Sequence, residues 1–367
     1  MSIRLRALVV AGACACAGLL VSCGSDAPPP APAAAPGAVP ESRGGQQPVF
    51  DTSTGSWRTG AGNVAAQRPQ SEAPHLIVAR TMPTSGTPYE LHLVQTRDEI
   101  YVPLGVRKPD GDGPFPAILV GSGNGNGGFS KIEQAMYRLE GMMDEMLKRG
   151  YVVAYGNYRN EIPGAYNSQD RAHNVADTTS GGARALKSAC SLDSDDYISL
   201  IEHLQNLPYV KRDGVGTVGV SHSGELMFKV ATEITWGAAA AIEPAVHEFL
   251  AMDRTNVPRI DNVIQMQEVA VARGAANLAI AKERVSRMSQ TPFLVMGRDG
   301  DHNQGLFRLG YEVQAEAGRD VTWASANHPV HGYGLLYRKD DGTYAPDEMQ
   351  REFFDDWMKF FDERLKK

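Results

Sequence analysis

The stretch Val215-Gly-Thr-Val-Gly-Val-Ser221-His-Ser-Gly-Glu225 constrains this chain more than any other. Val215 to Val220 is a short apolar run rich in β-branched residues, Ser221 to Gly224 is a turn of small residues, and Glu225 to Thr232 has helix-forming composition. Strand, sharp turn and helix are therefore predicted in direct succession. A serine at such a turn has its hydroxyl pushed out beyond the strand. The helix that follows aims its first N–H groups at the same point, where they stabilise negative charge. Such a serine is placed to act as a nucleophile, and it needs a sheet to carry its strand and partners delivered by other strands.

The pattern from His75 to Lys367 supplies that sheet, at a length suited to one large domain. Tyr89 to Gln95 and Ile100 to Val106 alternate in the manner of half-buried strands. Pro116 to Val120 and Tyr151 to Tyr155 are continuous apolar runs suited to strands buried on both faces. Further strands are predicted at Val215 to Val220, Ala238 to Ile242, Phe293 to Met296 and Val321 to Ala324. Helices separate them: Ile132, Met136, Leu139, Met143 and Leu147 share one face of a helix over 131–149 that Gly150 stops. Another, from about Asp193 to Asn206, opens with acids at the end where the helix dipole favours them. Strands alternating with helices, after an antiparallel-looking opening, predict a mixed, mostly parallel sheet with helices on both faces. Residues 244–289 read as a mostly helical insertion that caps the site. Its Phe249, Leu250, Met252, Ile260, Val263, Ile264, Met266 and Val269 suit an apolar wall or ordinary core packing equally well.

Ligands of open parallel sheets gather beyond the carboxyl ends of the strands, so the residues after each predicted strand are the candidates. After Val120 comes Gly121-Ser-Gly-Asn-Gly-Asn-Gly-Gly128, whose many glycines leave backbone N–H groups unobstructed for an oxyanion. A phosphate loop would need a Lys-Ser/Thr ending that is missing here, and a plain flexible turn is the bland alternative. After Met296 comes Gly297-Arg-Asp-Gly-Asp-His302. Asp299, Asp301 and Asn303 mimic the start of a calcium loop, but Gln304 and Gly310 stand where that loop needs glycine and glutamate. After Ala324 comes a segment with His328 and His331-Gly-Tyr-Gly334, followed by the amphipathic stretch Glu352 to Leu365.

Taken together these residues resemble the α/β-hydrolase family. The serine turn is similar to its G-x-S-x-G elbow, with Ser223 in the fifth position and Gly224 one later, and His-Gly-Tyr before a last helix is where that family carries its base. Gly150-Tyr-Val-Val-Ala, Asn157-Tyr-Arg159, Leu207-Pro-Tyr-Val and Gly219-Val-Ser-His resemble the branch of dienelactone hydrolases, acyl-aminoacyl peptidases and related bacterial esterases. Two departures stand out: the glycine-rich loop lacks the family's frequent His-Gly, and dienelactone hydrolases proper use a cysteine where this chain has Ser221. The resemblance implies an eight-stranded α/β-hydrolase fold. It implies Ser221 as nucleophile, His331 as base and Asp301 as acid with Asp299 in reserve. The oxyanion donors would be the N–H of His222 with Gly123 or Asn124; no cofactor and no metal are implied. The reaction implied is hydrolysis of a small-molecule or polymer carboxylic ester through an acyl-enzyme. An amidase or aminopeptidase of the prolyl-oligopeptidase-like group and a non-catalytic envelope lipoprotein stay open.

Arg4 and Arg6 followed by apolar residues to Val21 read as a secretory signal over 1–22, and Leu20-Val21-Ser22-Cys23 resembles a lipobox. Lipid on Cys23 would anchor an exported protein to the cell envelope. Of the 4 cysteines only Cys190 would then be left, so no intramolecular disulfide is expected. Residues 23–74 are rich in Pro, Ala and Gly, for example Ala27 to Pro36, and read as a disordered tether ahead of the 75–367 domain. A net charge of −7 with no basic run excludes nucleic acid as an expected partner.

Overall fold

Each buried apolar run becomes a strand, and the strands assemble in an order that gathers their ends around the serine turn. The computed structural model describes residues 49–51, 56–58, 76–82, 85–97, 99–121, 123, 128–158, 191–261 and 263–367. The expected signal segment, Cys23, Asn124 and Cys190 lie outside the described residues. Two units divide the chain, Met1–Gln67 and Arg68–Lys367. In the first, β1 (Val49–Asp51) and β2 (Ser56–Arg58) pair antiparallel, with Phe50 opposite Trp57. These strands are the described part of the stretch expected to be a tether.

The second unit carries β3 (Leu76–Thr81), β4 (Pro88–Gln95), β5 (Tyr101–Arg107), β6 (Phe115–Gly121), β7 (Val152–Gly156), β8 (Val210–Val220) and β9 (Ala238–Ile242). A separate antiparallel hairpin, β10 (Arg259–Ile260) and β11 (Val263–Ile264), precedes β12 (Phe293–Arg298) and β13 (Val321–Ala326). The main sheet runs β3-β4-β5-β7-β6-β8-β9-β12-β13. Its β3–β4, β4–β5 and β5–β7 pairings are antiparallel and the rest are parallel. It has nine strands rather than the expected eight. The addition is β3, an edge strand held by main-chain bonds to β4 with side chains such as Ile77 and Arg80 exposed, so it leaves no buried pattern to read.

Helices α1 (Gly128–Lys148), α2 (Ser191–Gln205), α3 (His222–Val230), α4 (Val269–Ala275), α5 (Leu278–Arg287), α6 (Gln304–Glu316) and α7 (Glu348–Leu365) cover the sheet. Period-2 alternation splits the core into two layers. Ile118 and Val120 of β6 pack with Met136 and Met143 of α1 and Trp357 and Phe361 of α7. Ala117 and Leu119 pack with Ile198 of α2, Leu226 of α3 and Leu309 of α6 on the other face. Each of the larger aliphatic side chains among these is worth about 1.5–3 kcal/mol on burial. The α1 helix ends in a Schellman motif, Gly150 N–H bonding to Leu147 O at 2.9 Å and Tyr151 N–H to Met146 O at 3.1 Å. Asp347 and Gln350 form a capping box at the start of α7. The far end of α7 presses on the strand that leads to the serine: a Cβ at Gly216 would stand 2.8 Å from Leu365 Cδ1 and 3.0 Å from Phe361 Cε1, and Gly237 also faces Leu365.

The 244–289 insertion is less helical than its composition predicts. Only α4 and α5 are helices, and they follow turns and the β10–β11 hairpin. Phe249, Leu250 and Met266 are buried in the core layer that holds α3 and α6, while Ile260, at the hairpin tip, is 64% exposed. Core packing, the plainer of the two readings, accounts for the first three. Among the described residues no helix is long and apolar enough to cross a membrane.

Candidate active site

The sharp turn after β8 places Ser221 at the carboxyl end of the parallel strands with φ 57° and ψ −109°. A non-glycine residue in that region costs about 1–3 kcal/mol and persists only where its surroundings enforce it. Here they do: Ser221 N–H bonds to Ile242 O at 3.0 Å, and its carbonyl accepts from Glu225 N–H at 3.1 Å and Ala245 N–H at 3.0 Å. The two glycines of the turn make room for its bend. A Cβ at Gly219 would lie 2.8 Å from the Ser223 Cβ, and one at Gly224 would lie 2.9 Å from the Pro244 Cα. Ser223, the departure from the usual glycine, is fully buried and donates its hydroxyl to Val220 O at 3.0 Å, so its polar group is satisfied within the turn.

Residue 331 arrives from the loop between β13 and α7. Gly332 packs on Val220, the neighbour of the serine, where a Cβ would be 3.1 Å from Val220 Cγ1. His331 Nδ1 donates to Glu243 Oε2 at 2.5 Å, and Gly332 N–H donates to Glu243 Oε1 at 2.8 Å. Glu243 is the first residue beyond β9, fully buried, with φ 45° and its N–H bonded to Met296 O at 2.6 Å. Burial works against its charge. The His331 hydrogen bond and charge, the Gly332 N–H and Arg298 together outweigh that and hold its pKa below the usual carboxylate range. In return the Glu243 hydrogen bond, with the charges of Glu243 and Asp301, raises the pKa of His331 against the opposing effects of burial and Arg298.

The expected partner, Asp301, does not carry the bond to the imidazole. Asp301 is buried, its Oδ2 bound by Arg298 and its Oδ1 accepting from Asn303 N–H at 2.7 Å, so the partner of the imidazole is Glu243 and not Asp301. The physical reason is the reach of the strand ends: β9 lies directly beside β8 and ends next to the serine, whereas β12 is one strand further out. The reserve, Asp299, is exposed and accepts from Ser325 Oγ at 2.9 Å and Gln304 Nε2 at 3.1 Å. Glu243, Asp301 and His331 offer ligand atoms within 4.8 Å of one another. The Arg298 guanidinium, however, already bonds to both carboxylates and supplies the positive charge there.

Of the oxyanion candidates, His222 is the first residue of α3, so its N–H points off the helix start beside the serine. Gly123 lies beyond β6, partly buried, with open space where a side chain would be. Reasoning from sequence missed Glu243 and Arg298. Each sits at the carboxyl end of a predicted strand, where Asp301 was also sought, but no local signal marks either as a neighbour of His331.

No protein-family model matches the sequence, and no curated protein matches it. Solved structures do. Porphyromonas gingivalis dipeptidyl peptidase 4 is similar over 86% of this chain and 40% of its own, at 17% identity and a TM-score of 0.50. The acylaminoacyl peptidase of Pyrococcus horikoshii is similar over 79% of this chain and 42% of its own, at 18% identity and a TM-score of 0.47. Esterase 2 of Thermogutta terrifontis, phosphonylated by sarin, is similar over 77% of this chain and 96% of its own, at 17% identity and a TM-score of 0.49. The chain thus spans about two fifths of the length of the two peptidases. Its strand order and the first of these likenesses show the α/β-hydrolase fold, and identity this low shows the fold alone.

Proposed function

We propose that this chain is a serine hydrolase that cleaves carboxylic esters through Ser221, His331 and Glu243. One observation carries the reading. A serine in a strained turn at the end of β8 stands beside a carboxylate at the end of β9, and that carboxylate fixes an imidazole whose side chain is 50% exposed. Because Nδ1 of His331 is committed to Glu243, Nε2 is the nitrogen free to accept a proton. In the proposed cycle Nε2 takes the Ser221 proton as Oγ attacks the ester carbonyl. The oxyanion is held by the His222 N–H and by Gly123 or Asn124. The alkoxide leaves with the proton from His331, and water, activated by the same imidazole, releases the acid and restores the serine. Glu243 stays ionised throughout and offsets the imidazolium charge.

A fluorophosphonate probe tests the nucleophile: labelling is expected at Ser221 and is lost in Ser221→Ala, and an unlabelled wild type would refute the proposal. A panel of p-nitrophenyl esters set against aminoacyl anilides then ranks ester over amide cleavage, with esters expected to turn over faster. Export and a lipid anchor on Cys23 belong to the same proposal, supported by Arg4, Arg6, the apolar run and the Leu-Val-Ser-Cys motif. Incorporation of labelled palmitate that disappears in Cys23→Ala is the expected result.

A further inference from the structure

We propose that Arg298 and Asp301 form a positioning pair for the acid: Arg298 clamps the Glu243 carboxylate in line with His331, and Asp301 clamps Arg298. This rests on the proposed hydrolase reading and assigns roles to two residues that do not touch the reacting atoms. Arg298 ends β12, with its backbone N–H bonded to the Gln304 side-chain oxygen at 2.8 Å. Its Nε donates to Glu243 Oε2 at 3.1 Å, one terminal nitrogen donates to Asp301 Oδ2, and the other reaches His328 O at 3.4 Å. Asp301 is itself fixed, since its N–H bonds to Arg298 O at 3.0 Å and its carboxylate accepts from Asn303 N–H.

Electrostatics explains why such a pair is needed. Glu243 and Asp301 have side chains 0% and 1% exposed. Two carboxylates this close in a buried site repel, and one would take up a proton unless a cation lies between them. Arg298 is that cation, and its planar fork sets a direction as well as a charge. Glu243 is thereby held by three donors, namely His331 Nδ1, Gly332 N–H and Arg298 Nε. Among the described residues, other titratable groups near the imidazole and its acids are His302, 3.3 Å from Asp301 in the β12 loop, and His328 and Tyr333 of the loop that carries His331 itself. Ser221 lies at the end of β8, one residue beyond the Val220 on which Gly332 packs. The pair also acts on the base in opposite senses: the Asp301 charge favours protonated His331 and the Arg298 charge disfavours it.

The test is the pH profile of kcat/KM on a p-nitrophenyl ester for the wild type, Arg298→Gln, Asp301→Asn and Arg298→Lys, with thermal melts to confirm folding. Arg298→Gln is expected to move the acid limb up, and Asp301→Asn to move it down, each on the order of one pH unit. Both should lower kcat by about 10- to 100-fold with KM nearly unchanged, the signature of a misplaced catalytic group. Arg298→Lys keeps the charge and loses the fork, so its acid limb should stay in place while kcat falls. Should Arg298→Gln fail to fold, Asp301→Asn and Arg298→Lys still decide. Folded Arg298→Gln and Asp301→Asn variants whose limbs coincide with that of the wild type or move in the same direction, or an Arg298→Lys variant with kcat unchanged, would overturn the inference and leave the hydrolase reading standing. A wild type inert to the probe and the esters would overturn both.

Discussion

Two histidines three positions apart each hold a carboxylate, and they hold it in inverse ways. His331 is 50% exposed and its partner Glu243 is fully buried, whereas His328 is 6% exposed and its partner Asp347 is 56% exposed. The His328 ring stacks on Tyr333 at 4.7 Å, and its Nδ1 accepts from Val330 N–H at 3.1 Å. Its Nε2 meets Asp347 Oδ2 at 3.0 Å, on the residue that caps α7. One pair hides the acid and offers the ring; the other hides the ring and offers the acid. A base has to meet substrate while its orienting charge stays where water cannot weaken it. A structural imidazole has only to fill space and satisfy its two nitrogens. Residue type and loop position are shared, so the direction of burial separates the roles.

That contrast can be broken in order of effect. Ser221→Ala and His331→Ala should each cost on the order of 10⁵ to 10⁶ in turnover if the open pair serves the serine. Glu243→Gln, read in the same ester assay, should cost about 10⁴. Asp301→Ala should cost less than Glu243→Gln, and the reverse ranking would make Asp301 the acid after all. In the closed pair, Asp347→Ala should leave turnover near that of the wild type and lower stability by about 1 kcal/mol, the ordinary worth of an N-cap, as a shift in melting temperature. Its pH dependence sharpens the point. The Gln350 N–H, then the His328 hydrogen bond, hold the Asp347 carboxyl below its ordinary pKa. The stability it contributes is therefore present above the unfolded value of about 3.9 and is lost as pH falls through the folded one. Melts of wild type and Asp347→Ala should differ at pH 7 and draw together as pH falls below about 3.9.

The serine turn was legible because three local signals agree there: a β-branched run, small residues at the bend and helix formers beyond it. The strand ends after Val120, Met296 and Ala324 were legible for the same reason, and with them His331 and its rival His328. The acid was not. Ala238-Ala-Ala-Ala-Ile242-Glu243-Pro244 reads as a strand running into an insertion, and nothing local tells a carboxylate aimed at the site from one that starts a loop. Choosing Glu243 over Asp301 needs the lateral order of β8, β9 and β12, which is a property of the assembled sheet. The β3 strand and the β10–β11 hairpin escaped because main-chain pairing and a tight turn form them, with exposed side chains such as Ile77 and Ile260 carrying no inward pattern.

The contact of Leu365 and Phe361 with the bare backbone of Gly216 seats the last turn of α7 under the strand that carries Ser221. The stretch that bends into the serine elbow is floored by residues encoded far downstream, so its seating waits on a long-range contact. Clipping α7, or crowding it with a fusion, would tilt that floor without altering a single reacting group.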